Sequence, residues 1–284
     1  MPPLALALVS ILLWSTVAWL SLKLAHIPPF LLVGICLLVG ALCGAARLRD
    51  WRAATPRLMA LGVYGLFGFH FFLFTALRHA PPIEANLINY LWPLLIVVLA
   101  PVIVPATSLT ARHVAAALIG FGGAALLATG GRFSVEVAHL FGYGCALASA
   151  VIWSTYSLLT RRMPAFPTGT VGAFCAVSGL LSLLCHLLWE STPAIAASDW
   201  FWMAAIGVGP LGVAFFTWDA AMKRGDPRVI GTLSYLTPLL STLWLAFSGA
   251  GTLGPLALGA MAAIVGGAVL GSTPARAAKG RLVE

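Results

Sequence analysis

The stretch INYLWPLL, Ile88 to Leu95, places a proline inside what otherwise reads as one long apolar helix, and LSYLTPLL, Leu233 to Leu240, does so again 145 residues later. In both, a tyrosine stands three residues before the proline (Tyr90 and Pro93, Tyr235 and Pro238) and leucines follow it. Proline in a helix interior removes a backbone hydrogen bond and clashes with the carbonyl one turn back, which costs roughly 3 kcal/mol. The same costly feature built twice in matching surroundings suggests that the chain is a duplicated unit.

Working outward from these two stretches, composition settles the class. Of 284 residues, 61% are hydrophobic and 8% are charged, against about 25% charged in a typical soluble domain. So few charges cannot cover a surface in water. The apolar residues fall into ten blocks with soft edges, at about 4–25, 29–46, 57–77, 84–104, 112–130, 139–160, 169–189, 200–222, 229–248 and 255–272. Blocks near 20 residues match a hydrocarbon layer of roughly 30 Å at 1.5 Å rise per residue. The intervening HIPPF, RLRDWRAATP, RHAPP, RRMPAFP, STPAIAASD and KRGDP are helix-stop chemistry. The expectation is an all-α integral membrane protein of ten transmembrane helices; blocks two and ten are short, and nine helices is the alternative.

No lysine or arginine precedes the first block, and LAHIPPF stands where a small-residue cleavage site would be needed, so this block reads as a retained helix. The five cysteines (Cys36, Cys43, Cys145, Cys175 and Cys185) lie inside apolar blocks without a C-x-x-C pair, which points to buried thiols and no metal site.

The net charge of +8 is distributed unevenly. Ten helices put both termini and the even-numbered connections on one face, which holds Arg47, Arg49, Arg52, Arg57, Arg112, Arg161, Arg162, Lys223, Arg224, Arg228, Arg276, Lys279 and Arg281. The other face holds Lys23, Arg78 and Arg132. Thirteen against three is the asymmetry of the positive-inside rule. It predicts an inner-membrane protein with both termini cytoplasmic, and it accounts for the basic residues without a nucleic-acid partner.

Two more stretches recur in the same order. LLWSTVAWLSLK (12–23) resembles VIWSTYSLLTRR (151–162) at an offset of 139, and GFGGAALL (120–127) resembles IVGGAVLG (264–271) at 144. The chain therefore divides into two five-helix halves, about 1–135 and 136–284. Five is odd, so the second half enters the membrane from the opposite side, giving two inverted-topology repeats with a binding site expected near the midplane between them.

WST in the first helix, NYLWPLL, SYLTPLL and the five-plus-five plan resemble the drug/metabolite transporter superfamily, in particular its EamA-type exporters, over nearly the whole chain. IEANLINYLWP followed by IWSTY is most similar to the family's aromatic amino-acid exporters. The resemblance implies Tyr90, Trp92 and Trp153 as cavity residues and amino acids as substrates.

Independently of that resemblance, Asn86, Tyr90 and Pro93 share a helix face by i, i+4, i+7 spacing, and Gly231, Tyr235 and Pro238 sit at matching positions. Pro93 and Pro238 are candidate hinges, or else static kinks. Tyr90, Trp92, Trp153, Tyr156, Trp218 and Tyr235 lie away from the interfaces that tyrosine and tryptophan favour. They suit an aromatic-walled cavity, or plain packing. Truncating Trp153 is expected to lower transport with stability unchanged. His70, mid-block in LFGFHFFLF, is a candidate polar contact or a histidine satisfied by a neighbouring carbonyl. Glu84, His186 with Glu190, and Asp219 with Lys223 lie near block ends, and no acidic residue lies at a block centre. This disfavours proton coupling. The pairs Gly40/Gly44 and Gly267/Gly271 favour close helix packing in a monomer or a weak homodimer. No P-loop or zinc-protease signature is present, so an enzyme, a catalytic residue or a cofactor is not expected. The sequence reads as a membrane exporter of amino acids working by alternating access. The alternatives are a proton-coupled exporter of drugs or other metabolites, and a channel or membrane sensor.

Overall fold

The computed structural model describes residues 1–105, 107–132, 136–249 and 253–272; the basic residues Arg276, Lys279 and Arg281 lie outside the described residues. Every regular element among the described residues is helical. Among the described residues, nine helices are long and apolar enough to cross a membrane: span 1 (Pro3–Leu22), span 3 (Pro56–His79), span 4 (Pro82–Ile103), span 5 (Ala111–Thr129), span 6 (Val137–Arg162), span 7 (Thr168–Trp189), span 8 (Ala197–Arg224), span 9 (Pro227–Phe247) and span 10 (Pro255–Ser272). Span 2, Pro29–Leu42, is only 14 residues long and turns through 95° into the tight helical turns of Ala45–Ala53. It completes the ten.

Proline opens spans 1, 2, 3, 4, 9 and 10. At the first helical position its missing N–H would be unpaired in any case, so it starts a helix without penalty. Span 5 stops at Gly130, whose φ of 58° is a left-handed cap that glycine adopts freely. Outward-facing side chains along the spans are apolar, Leu180 and Leu187 on span 7 being 60% and 75% exposed. Such a surface requires lipid.

The spans pack in pairs related by exchanging the two halves. Span 3 lies on span 6 as span 8 lies on span 1, while span 2 crosses span 7, span 4 crosses span 9 and span 5 crosses span 10. The last crossing explains why GFGGAALL and IVGGAVLG recur. A methyl on Gly123 would come within 2.7 Å of the Ala260 carbonyl oxygen, and one on Gly267 within 2.8 Å of the Ala116 carbonyl oxygen. Side chains at Gly40 and Gly44 would meet Leu211 and Phe216. Both G-x-x-x-G pairs are thus used inside the chain, where backbones must approach closely.

Helix irregularities recur as well. Span 3 widens into a π turn at Tyr64–Gly68, and span 8 does so at Gly209–Val213, an offset of 145. Spans 4 and 9 lose regular helical bonding at 90–91 and 234–235, just ahead of Pro93 and Pro238, while each continues as one span. Both interruptions therefore lie within one turn of the paired prolines.

Candidate substrate cavity

A cavity of about 980 Å³ enters the bundle from one end, at the upper end of the size of small-molecule sites. Its mouth lies among Ala25, Ile27 and Pro29 between spans 1 and 2, Arg78 and Pro82 between spans 3 and 4, and Leu245 near the end of span 9. This is the end of the bundle that carries few basic residues.

The basic end is closed to this cavity, since none of its residues among those described lines it. Arg161 donates to the carbonyls of Met222, at 2.7 Å, and Gly225, and Arg162 to that of Ile103. Lys223 Nζ lies 2.7 Å from Asp219 Oδ2 and 3.1 Å from the Phe166 carbonyl, and the Thr168 hydroxyl donates to the same Asp219 oxygen at 2.9 Å. In the connection between spans 8 and 9, burial would raise the Asp226 carboxyl, but the hydrogen bonds and charge of Arg228 prevail and hold it below its usual range. Arg228 also reaches the Ser108 carbonyl, tying that connection to the one between spans 4 and 5.

Between mouth and closed end lies an aromatic floor. Trp14 and Trp153, the two tryptophans of the recurring WST motif, meet edge to face with ring centres 5.6 Å apart. Trp92 stands 6.3 Å from Trp14, and Phe215 5.6 Å from Trp153. The π turns help build this floor. They present carbonyls toward it, and Trp14 Nε1 donates to the Pro210 carbonyl at 3.0 Å. His70 Nδ1 lies 2.7 Å from the Leu66 carbonyl. A carbonyl only accepts, so Nδ1 carries a proton, and in the neutral imidazole Nε2 keeps its lone pair.

Of the residues expected from the sequence, His70, Asn86, Tyr90, Trp92, Trp153 and Pro238 line the cavity. His70 is bonded to a neighbouring carbonyl and also faces the cavity. Three others stand behind the wall. Trp218 is buried, stacked at 6.3 Å on Trp153, with its Nε1 donating to Ser157 Oγ at 3.0 Å. Tyr156 lies under Trp153 at 5.5 Å. Tyr235 is buried with its hydroxyl against the backbone of span 4, where Pro93 also sits. Trp14, Phe69, Asn89 and Phe215 line the cavity although the sequence did not single them out. Trp14 was within reach, since it is the repeat counterpart of Trp153. Asn89 accepts a hydrogen bond from Ser149 at 2.9 Å.

Comparisons with known proteins agree with this architecture. The model of the EamA-like transporter family matches residues 1–129 and 140–273. A protein of Ancylobacter novellus named aromatic amino acid exporter YddG is 44% identical over 277 residues, 94% of this chain and 96% of the relative. A Salmonella typhimurium protein of the same name is 26% identical over 84% of this chain and 85% of its own. A solved crystal structure, 42% identical, superposes with a TM-score of 0.90 over 94% of this chain and 95% of that one. This chain is a multi-pass membrane protein and belongs to the EamA-like transporter family of the drug/metabolite transporter superfamily.

Proposed function

We propose that the protein exports amino acids, with aromatic and other apolar side chains preferred, across the inner membrane by alternating access. The observation that carries this reading is the cavity that ends on Trp14 and Trp153, one from each half. Rings and apolar walls suit an aromatic side chain, and ring faces attract an ammonium group. The exporter names of the relatives support the same substrate class. Under the positive-inside rule the cavity opens outward, both termini are cytoplasmic, and the basic end is the cytoplasmic gate. The moving units are the two repeats, 1–135 and 136–284. Within the reading, His70, Asn86, Tyr90, Trp92 and Trp153 contact substrate, whereas Tyr156, Trp218 and Tyr235 support the wall.

Among the described residues no aspartate or glutamate lines the cavity, which favours uniport down the amino-acid gradient. Because the G-x-x-x-G pairs are used internally, a monomer suffices. The test is counterflow of labelled phenylalanine, tryptophan and polar amino acids in proteoliposomes, with and without a pH gradient. Saturable, stereoselective exchange indifferent to the gradient is expected. Exchange driven strongly by the gradient would move the assignment to a proton-coupled exporter. Flux that neither saturates nor distinguishes enantiomers would move it to a channel.

A further inference from the structure

The cavity wall includes one permanently charged side chain among the described residues, Arg78, at the mouth. Arg78 lies in the last turn of span 3 with its guanidinium carbon 5.3 Å from the centre of the Phe30 ring, and its Nη2 donates to Glu190 Oε1. The Glu190 side chain is only 4% exposed, and both of its oxygens are already engaged. Oε1 also accepts from the Phe30 amide at 3.2 Å. Oε2 accepts from the Leu31 amide at 3.2 Å and lies 3.0 Å from His186 Nδ1. His186 is fixed in turn by Thr192 Oγ1 at 2.8 Å. Glu190 is therefore locked to the start of span 2 and the end of span 7. It is not a cavity group; its contact with the cavity runs through Arg78.

A guanidinium has five N–H donors in a fork that matches a carboxylate. Arg78 gives one hydrogen bond to Glu190 while its side chain stays 39% exposed. A carboxylate entering a mostly apolar cavity is costly to desolvate without a charged partner, and charge-assisted hydrogen bonds are the stronger kind.

We propose that Arg78 receives the α-carboxylate of the amino-acid substrate and that Glu190 is the positioning residue that holds its guanidinium toward the cavity. The inference rests on the amino-acid reading above and adds to it the group that selects for a carboxylate. Arg78 follows His70 by eight residues on span 3, about 12 Å along the axis. An extended aromatic amino acid plus one hydrogen bond of about 3 Å fills that depth, placing the ring on the floor. Asn86 Nδ2 donates to the Pro82 carbonyl at 2.9 Å, which leaves Oδ1 at the cavity edge to accept from the substrate ammonium.

The test compares L-phenylalanine, L-phenylalaninamide and 2-phenylethylamine as competitors of counterflow in wild type, Arg78→Gln, Arg78→Lys and Glu190→Gln. Wild type should prefer phenylalanine over both neutral-ended analogues by about tenfold or more. Arg78→Gln should bring the three within about threefold by weakening phenylalanine alone, and Arg78→Lys should fall between. Glu190→Gln should raise KM for phenylalanine while leaving kcat and the analogue constants near wild type. Should Arg78→Gln fail to fold, the same ratio in Arg78→Lys and Glu190→Gln decides. An unchanged ratio in the Arg78 variants, or equal weakening of all three ligands, would overturn the proposal. A wild type that exchanges amino acids but ranks the three ligands equally would overturn it while the functional reading stands. A wild type that exchanges no amino acid overturns both.

Discussion

The hydroxyl of Tyr235, in span 9, lies 3.3 Å from the backbone carbonyl oxygen of Tyr90 in span 4 and 3.1 Å from the amide nitrogen of Leu94. In an unbroken helix that carbonyl and that amide would bond to each other. Tyr235 stands in the gap opened ahead of Pro93, donating to one and accepting from the other, so a side chain of one half completes a helix of the other. Its counterpart Tyr90 faces the cavity instead. Tyr235→Phe removes the bridge and is expected to lower stability by about 1 kcal/mol, read as a lower Tm in detergent, whereas Tyr90→Phe should leave Tm near wild type. An unchanged Tm in Tyr235→Phe would mean that span 4 closes the bond by itself.

If Pro93 and Pro238 are hinges, alanine at either position returns a backbone N–H and favours a straighter helix. Two facing states of similar free energy shift tenfold for about 1.4 kcal/mol. Pro93→Ala and Pro238→Ala should slow transport and bias the protein toward opposite states. Cysteine labelling from each side of the membrane reads which end is open. Normal transport and unchanged labelling in both variants would reduce the prolines to static kinks.

Trp153 requires a different prediction from the one its sequence context suggests. It is only 4% exposed, with Trp14, Phe69, Tyr156, Phe215 and Trp218 around it. Truncation opens a large void, and Trp153→Ala should cost about 3–5 kcal/mol rather than leave stability unchanged. Trp153→Phe keeps most of the packing and is the variant that tests substrate contact. A fall in transport with Tm preserved is expected for it, and normal transport would show that the indole is filler.

At the closed end, the Asp219 side chain is 2% exposed and paired with Lys223, and its Oδ1 has no hydrogen-bond partner among the described residues. Lys223→Met strands a buried carboxylate and should destabilise by about 3–5 kcal/mol. The double variant Asp219→Asn with Lys223→Met should recover most of that loss. Recovery of Tm without recovery of transport would identify the pair as part of the gate. Failure of the double variant to recover Tm would mean that the lysine acts mainly through Phe166, whose ring centre lies 3.2 Å from its Nζ.

The sequence alone was sufficient to place the chain in a membrane, because so few charges leave no other solvent for its helices. It also determined the two repeats, since matched prolines and tryptophans at nearly constant spacing are visible without coordinates. Which side chains face the cavity was decided only in three dimensions. The π turns at Tyr64–Gly68 and Gly209–Val213 each insert extra backbone into a helical turn, so every residue beyond them is rotated from the face that a regular 3.6-residue period assigns. Tyr156 and Trp218 appear well placed along their helices, yet neighbouring helices cover them. Tyr235 carries the same local signature as Tyr90, yet its hydroxyl reaches the partner helix while Tyr90 lines the cavity. In the sequence Arg78 is only one of three cations on its face; the fold sets it beside Glu190, 112 residues away. Local pattern records what a helix is made of; its rotation and its neighbours, set by packing between distant segments, decide what that helix presents.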